Sequence, residues 1–263
     1  MTAPLFHLRP GALDGATSGS VILLDGAEGH HAATVMRLAP GEEIQLSDTE
    51  RTRVSGVVRE SGEGRLRLEV RESVIDPEQL PRLVLVQALA KDKRDLQAVE
   101  SAAELGADRI IPWQAERSVA KWKAGREAKK HSEWASTAAA AAKQTRRTGI
   151  PPVEQLHTTG QYVRRVSGEP GTAVLVLHET EKISLRDALA QLGALGEAVA
   201  APQELHLVVG PEGGISDAEL AQLTEAGART ARLGATVLRS STAGPAALAG
   251  AQLLLGRWDW PLS

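Results

Sequence analysis

Over roughly its first seventy residues the chain alternates short β-prone apolar runs with turn-forming residues. Val21–Leu24, Glu43–Ser47, Arg53–Arg59 and Arg65–Val70 are such runs, separated by signals such as Pro40-Gly41 and Ser61-Gly62-Glu63-Gly64. Strands this short at this spacing predict a small barrel. One short helix is expected to interrupt it around His30–Arg37. Ser73–Pro81 holds two prolines and no periodicity, and reads as a linker.

Beyond Pro81 the pattern becomes an alternation of strand and helix. Leu83–Leu89 is an almost continuous apolar run, as expected of a strand covered on both faces. In Asp92–Leu105 the residues Leu96, Val99, Ala103 and Leu105 fall at helical spacing, and Gly106 is the stop. Arg109–Pro112 predicts a short strand, Glu127–Lys143 an alanine-rich helix, and Ala173–Leu177 and Leu205–Val209 two more buried strands. Thr230–Leu233 predicts a last short strand and Ala243–Gly256 a closing apolar helix; Ala194–Ala201 is alanine-rich loop or frayed helix. Five strands with intervening helices predict an α/β class with a mostly parallel sheet. The expected division is a barrel over 1–72, a linker over 73–81 and an α/β domain over 82–263.

A length of 263 residues allows one or two domains with a substantial core. The absence of cysteine excludes disulfides, thiolate metal sites and cysteine nucleophiles. Aromatics make up only 3%, which argues against a surface that stacks bases on aromatic rings. No secretory leader and no long apolar span is visible, so a soluble, cytoplasmic protein with no membrane segment is expected. The net charge of −3 is unevenly spread. Arg109 to Arg147 carries ten Lys/Arg against Glu116, Glu127 and Glu133, a local +7 that leaves −10 for the remainder. A concentrated basic segment on an acidic chain steers a polyanion to one face, although a charge run can also be a merely solvated helix face.

Two C-terminal loops carry the chemistry. A strand ending at Val209 runs into Gly210-Pro211-Glu212-Gly213-Gly214, and Ser216 with Glu219 forms a capping box that starts the next helix. Strand, glycine loop and helix N-terminus bind small ligands at the carboxyl edge of a parallel sheet. The loop is neither G-x-G-x-x-G nor a Walker A sequence, it has no lysine, and Glu212 is ill placed for a phosphate. A ligand without phosphate, and cationic, fits better. The second loop runs from Gly234 to a closing helix whose N-cap is expected at Ser241 or Thr242. It mixes apolar Val237 and Leu238 with Arg239, Ser240 and Ser241; the aliphatic pair either covers a flat adenine or plugs the core.

GPEGGIS followed by LGxxVLRxxTA resembles the SPOUT methyltransferase superfamily. Within it the chain resembles the bacterial 16S ribosomal RNA (uracil-N3)-methyltransferase family. His30-His31 with Arg37, Ala90-Lys91-x-Lys93-Arg94, Glu104-Leu105-Gly106 with Pro112, Glu116-Arg117-Ser118, and Lys143-Gln144-x-x-Arg147 extend the resemblance over nearly the whole chain. Two departures stand out: many members have Glu-Gln at Lys143-Gln144, and many have a glutamate where Ser241 stands. The resemblance implies a PUA-like barrel and an α/β domain with a deep trefoil knot. It also implies a homodimer, S-adenosylmethionine as methyl donor, no metal, and 16S rRNA of the small ribosomal subunit as partner. Leu177, His178, Gly210, Pro211, Glu212, Gly213, Ile215, Leu233, Gly234, Val237 and Leu238 are then the cofactor-binding residues.

Methylation of uracil N3 requires loss of the N3 proton, and a cation stabilises the anion that develops. Arg239 and Arg147 are the candidate cations; Arg239 could equally form a salt bridge at a dimer interface. Glu212 is either a base or the neutraliser of a sulfonium. Arg37, Lys91, Lys93, Arg94, Lys143, Arg146 and Arg147 are the expected RNA contacts, with Lys121, Lys123, Arg126, Lys129 and Lys130 adding phosphate attraction. The alternatives are a ribose 2′-O methyltransferase of the same superfamily, or a non-catalytic RNA-binding assembly factor that keeps the fold.

Overall fold

The computed structural model describes residues 3–195 and 201–259, so most of the Ala194–Ala201 segment lies outside the described residues. The chain divides into two compact units. One comprises the residues up to Glu78 together with Ala142–Ile150; the other comprises Gln79–Ala141 and the residues from Pro151 onward.

The first unit contains β1 (Leu5–His7), β2 (Val21–Leu24), α1 (Gly26–His30), β3 (Glu43–Ser47), β4 (Thr52–Gly62) and β5 (Arg65–Ile75). The sheet order is β1-β3-β4-β5-β2, parallel between β1 and β3 and antiparallel elsewhere. Leu66, Leu68 and Val70 of β5 point inward between polar neighbours, a clean period of two, and join Phe6, Ile44, Leu46 and Val54 in the core. The pairing of β4 with β5 slips at Ser55/Gly56, and a Cβ on Gly56 would lie 2.3 Å from the Glu69 carbonyl oxygen. That bulge therefore needs glycine. β5 runs five residues past the expected end at Val70, into the segment read as linker. The helix expected at His30–Arg37 starts earlier, as α1, and loosens into a π-turn over His31–Val35. Arg37 then takes a left-handed backbone, φ 56°, which stops it.

Residues 142–150 are stitched into this unit by backbone groups. Ser47 Oγ donates to the Thr148 carbonyl at 2.5 Å, a His7 ring nitrogen meets the Arg147 carbonyl at 2.9 Å, and Ile150 N–H donates to Thr49 at 2.9 Å. A Cβ on Gly149 would sit 2.7 Å from the Glu50 carbonyl oxygen, so the close approach depends on the missing side chain.

The second unit alternates β6 (Arg82–Ala88), α2 (Arg94–Glu104), β7 (Arg109–Gln114), α3 (Glu127–Gln144, whose residues from Ala142 belong to the first unit), β8 (His157–Thr158), α4 (Thr159–Val166), β9 (Thr172–Leu177), α5 (Leu185–Gln191), β10 (Glu204–Val209), α6 (Asp217–Glu225), β11 (Arg229–Ala231) and α7 (Ser240–Leu254). All six strands are parallel, in the order β11-β9-β10-β6-β7-β8. Both faces are covered. Leu83 and Leu85 of β6, with Leu205, Leu207 and Val209 of β10, enter one core; Val84, Val86, Val174, Val176 and Val208 enter the other. β10 enters between β6 and β9, both earlier in the chain, and α7 packs back on β6, β10 and α2. Re-entry into an already laid part of the sheet is what a knotted path requires.

Two boundaries differ from expectation for a local reason. α2 begins at Arg94, because Asp92 and Lys93 both adopt left-handed backbone, φ 57° and 59°, and form a turn instead of a first helical turn. α7 begins at Ser240 with Arg239 as its N-cap, ahead of both Ser241 and Thr242. Ser240 is held by a side chain of β6, and the Arg239 carbonyl takes the N–H groups of Thr242 and Ala243.

At the N-terminal end of β10 a buried polar chain locks the strands together. Tyr162 Oη donates to His206 Nδ1 at 2.9 Å, and His206 Nε2–H donates to Glu204 at 3.2 Å. Glu204 also faces Arg109 at 3.0 Å and Arg82 at 3.7 Å. The His206 hydrogen bond, aided by the charges of Arg109 and Arg82, holds the Glu204 carboxyl at about 2, while burial pushes the His206 imidazole below its usual value. A carboxylate that titrates near 4.5 when unfolded and about 2 when folded stabilises the fold above pH 4.5. That stabilisation is lost as pH falls from about 4.5 toward 2. Glu204→Gln should therefore flatten the acid limb of a Tm-against-pH curve below pH 5; an unchanged limb would remove Glu204 from the acid response.

Candidate functional site

Three strand-to-helix connections meet at the C-terminal edge of the parallel sheet, where α/β folds place their ligands. The ends of β9 and β10 and the loop after β11 enclose a cleft with about 560 Å³ of space between protein atoms, partly open to solvent. Leu177, His178, Gly210, Leu233, Val237 and Leu238, all expected from the sequence, line it. Glu179, Arg232, Thr236 and Ser240 line it as well; no local pattern in the sequence marks them. Pro211 and Ile215 are buried beneath the loop, where the Ile215 side chain would lie 2.7 Å from a Cβ on Gly210. Gly234 lines a neighbouring hollow together with Lys182, Arg186 and Arg232.

The Gly210–Gly214 loop is held from the β6 and β7 side. Glu212 accepts the Lys91 N–H at 3.3 Å and faces the Arg94 guanidinium at 3.6 Å, so the sequence-nominated carboxylate and one expected RNA contact are brought together. Asp92 and Lys93, in left-handed backbone, shape the turn that delivers that N–H. The capping box forms as expected: Ser216 Oγ accepts the Glu219 N–H at 3.2 Å and Glu219 accepts the Ser216 N–H at 3.3 Å. Glu219 is only 4% exposed and also accepts the Glu116 N–H at 2.8 Å and the Thr159 hydroxyl at 2.5 Å. Ser216 Oγ donates to Glu116 at 2.5 Å. These bonds clamp the segment after β7 onto the glycine loop so closely that a Cβ on Gly213 would lie 3.0 Å from both Cβ and O of Arg117.

Across the cleft, Gln87 on the central strand donates through Nε2 to Ser240 Oγ at 2.9 Å and to the Ala88 carbonyl at 3.2 Å. The Ala88 carbonyl fixes which end of the Gln87 amide faces Ser240, and Ser240 keeps its own hydroxyl proton for another acceptor. The loop before it leaves Val237 73% exposed, so this aliphatic does not plug the core. Arg239 is exposed and stands at the helix start, not in the cleft wall, and Ser241 is buried in the first turn. His178 meets the Thr180 hydroxyl at 3.0 Å.

The cleft combines aliphatic side chains, which suit a flat group, with His178, Glu179 and Arg232, and the glycine loop has no phosphate-binding lysine. Lys91 and Lys93 are exposed beside the glycine loop's anchor. In the first unit Lys143 pairs with Glu28 at 2.5 Å, Arg37 is exposed, and Arg146 takes left-handed backbone where α3 ends. Among the described residues no group of three His, Asp or Glu side chains could hold a metal ion, and no helix is long and apolar enough to cross a membrane.

Residues 77–252 match the model of an RNA methyltransferase domain, and residues 24–71 that of an RNA methyltransferase PUA domain. The chain is 46% identical over 246 residues to ribosomal RNA small subunit methyltransferase E of Mycobacterium bovis, covering 92% of this chain and 90% of that protein. It is 29% identical over 221 residues to the Bacillus subtilis protein of the same name, covering 84% and 85%. The crystal structure of the Neisseria gonorrhoeae protein of that name, bound to S-adenosylmethionine, superposes with a TM-score of 0.77 at 25% identity over 96% of this chain and 98% of that one. The chain belongs to the SPOUT RNA methyltransferase family whose curated members are named ribosomal RNA small subunit methyltransferase E.

Proposed function

We propose that this protein transfers a methyl group from S-adenosylmethionine to N3 of one uridine in 16S rRNA of the small ribosomal subunit. It would act as a homodimer in the cytoplasm. The observation that carries the cofactor assignment is the cleft itself. Its aliphatic walls, Leu177, Leu233, Val237 and Leu238, suit an adenine ring, and the Gly210 backbone that lines it suits hydrogen bonds to the ring edge. Glu212 lies in the same loop and suits a cation. Bound there, the cofactor supplies an electrophilic methyl on a positively charged sulfur.

The chain's own groups supply position and charge. Glu212 already accepts one N–H and faces Arg94, so it serves as a fixed negative charge opposite the sulfonium rather than as a base. Arg239, exposed at the start of α7, is a candidate cation toward the base. Arg147 belongs to the first unit and is proposed to contact RNA near the target, together with Arg37, Lys143 and Arg146; Lys91, Lys93 and Arg94 contact RNA from the second unit. The target uridine is turned out of its stack to reach the methyl. Val237, 73% exposed among the described residues, favours burial against a second copy or against the cofactor.

Gly213→Val forces a side chain into the 3.0 Å contact with Arg117, whose segment cannot retreat from the Glu219 clamp. Overpacking of this kind costs about 1–3 kcal/mol, so calorimetry should show affinity for S-adenosylmethionine falling roughly ten- to hundredfold while the first unit stays folded. Retained affinity would take the loop out of the binding site. Arg147→Ala should slow turnover or weaken RNA binding more than cofactor binding; an unchanged rate makes it a surface residue. Nucleoside mass spectrometry of small-subunit rRNA from a deletion strain should show 3-methyluridine absent, and its persistence at wild-type level would refute the assignment.

A further inference from the structure

Three carboxylates stand beside the Gly210–Gly214 loop, and each is engaged elsewhere than with Arg117. Glu212 is taken by Lys91 N–H and Arg94, Glu116 by the Ser216 hydroxyl, and Glu219 by the Glu116 and Ser216 N–H groups and the Thr159 hydroxyl. Arg117 is left without an ion pair among the described residues. Its guanidinium makes one long hydrogen bond, Nη1 to the Gly213 carbonyl at 3.5 Å, and the residue is exposed. Its main chain, by contrast, is fixed. The N–H groups on either side are bonded, Glu116 to Glu219 and Ser118 to Ala115, and its Cβ and carbonyl oxygen abut Gly213.

A permanently charged fork on a fixed backbone, with no carboxylate of its own to hold it, is available to turn toward an anion that forms during reaction. Position agrees with this. The cleft opens on the β9 and β11 side of β10, whereas Arg117 follows β7, beyond β6 on the other side. The cleft and Arg117 thus lie on opposite sides of one loop, so a donor held in the cleft could meet an acceptor held at Arg117 across it. Arg239 belongs to the cleft side by contrast, on the loop after β11.

We propose that Arg117 is a catalytic residue whose guanidinium takes the carbonyl edge of the target uracil and stabilises its N3 anion. The N3 proton passes to water. The N3 electron pair forms the new bond to the methyl carbon while the methyl–sulfur bonding pair stays on sulfur. Anion and sulfonium charges cancel, and Arg117 keeps its own charge throughout. This assignment rests on the uracil-N3 reading above.

The test compares wild type, Arg117→Ala and Arg117→Lys on an rRNA fragment carrying the target uridine. Loss of one donor to a developing anion lowers kcat roughly a hundredfold, so Arg117→Ala should fall by about that factor and Arg117→Lys by less. Below its plateau kcat follows the ionised fraction of N3, so the pH at which it levels off should move up by about two units, the counterpart of that factor. Affinity for S-adenosylmethionine should be unchanged in both variants. Wild type should bind the uridine fragment more tightly than the same fragment with an abasic target, and Arg117→Ala should bind the two alike. Unchanged kcat with a shallower salt dependence of RNA binding would make Arg117 a phosphate contact and overturn the proposal. Loss of S-adenosylmethionine affinity in both variants would make it a support for the cofactor loop and also overturn it. Wild-type turnover with an unaffected Arg117→Ala sinks this assignment alone; no wild-type turnover on the fragment sinks the uracil-N3 reading with it.

Discussion

A single buried carboxylate, that of Glu219, holds the working edge of the second unit together. Burying an ionised group is expensive unless it is saturated with donors, and Glu219 collects them from its own N-cap, from the segment after β7 and from the start of α4. Trp113 extends the same network by donating its indole N–H to Thr159 at 3.1 Å. Three separate crossovers are thereby forced to one place, and the glycine loop is fixed before any ligand arrives. The cap that starts α6 and the walls that shape the site are one interaction.

On this frame the site is built from opposites. The cleft side of β10 offers aliphatic walls beside His178, Glu179, Arg232 and a pinned Ser240 hydroxyl; the β6–β7 side carries the cations Lys91, Lys93, Arg94 and Arg117. Glu212 joins the two by accepting from the cationic side while belonging to the cleft loop. Division of this kind suits a reaction between a sulfonium and a nucleic-acid base, where one partner needs an apolar slot and a negative charge and the other needs positive charge.

Much of this was legible in the sequence, for physical reasons that differ by element. β6 and β10 are apolar runs because both faces are buried, and the Ser216–Glu219 pair announces a helix start by itself. β1 and β8, three and two residues long, carry too little pattern to be seen. The sequence pattern sets the start of α2 two residues early, at Asp92, since nothing in the spacing signals two consecutive left-handed residues. Gly210, Leu233, Val237 and Leu238 were visible through the two glycine-bearing loops, and Leu177 and His178 through the family resemblance. Ser240 was seen only as part of a loop, because its partner Gln87 lies 153 positions away. Arg117 and Glu219 gained their meaning only when distant segments met. The basic stretch read as one footprint is divided, with Lys143 and the residues that follow it tied to the first unit.

That division bears on how the chain is made. The barrel's edge is completed by Thr148 and Ile150, whose backbone groups bond to Ser47 and Thr49 a hundred positions earlier. A nascent chain that has just emerged through Glu78 has every strand of the barrel but not the segment that closes it. The first unit therefore finishes folding only after β6, α2, β7 and α3 have been synthesised, and cutting the chain at the apparent linker yields a fragment missing part of itself. Domain order along the gene and order of completion in time are not the same in this protein.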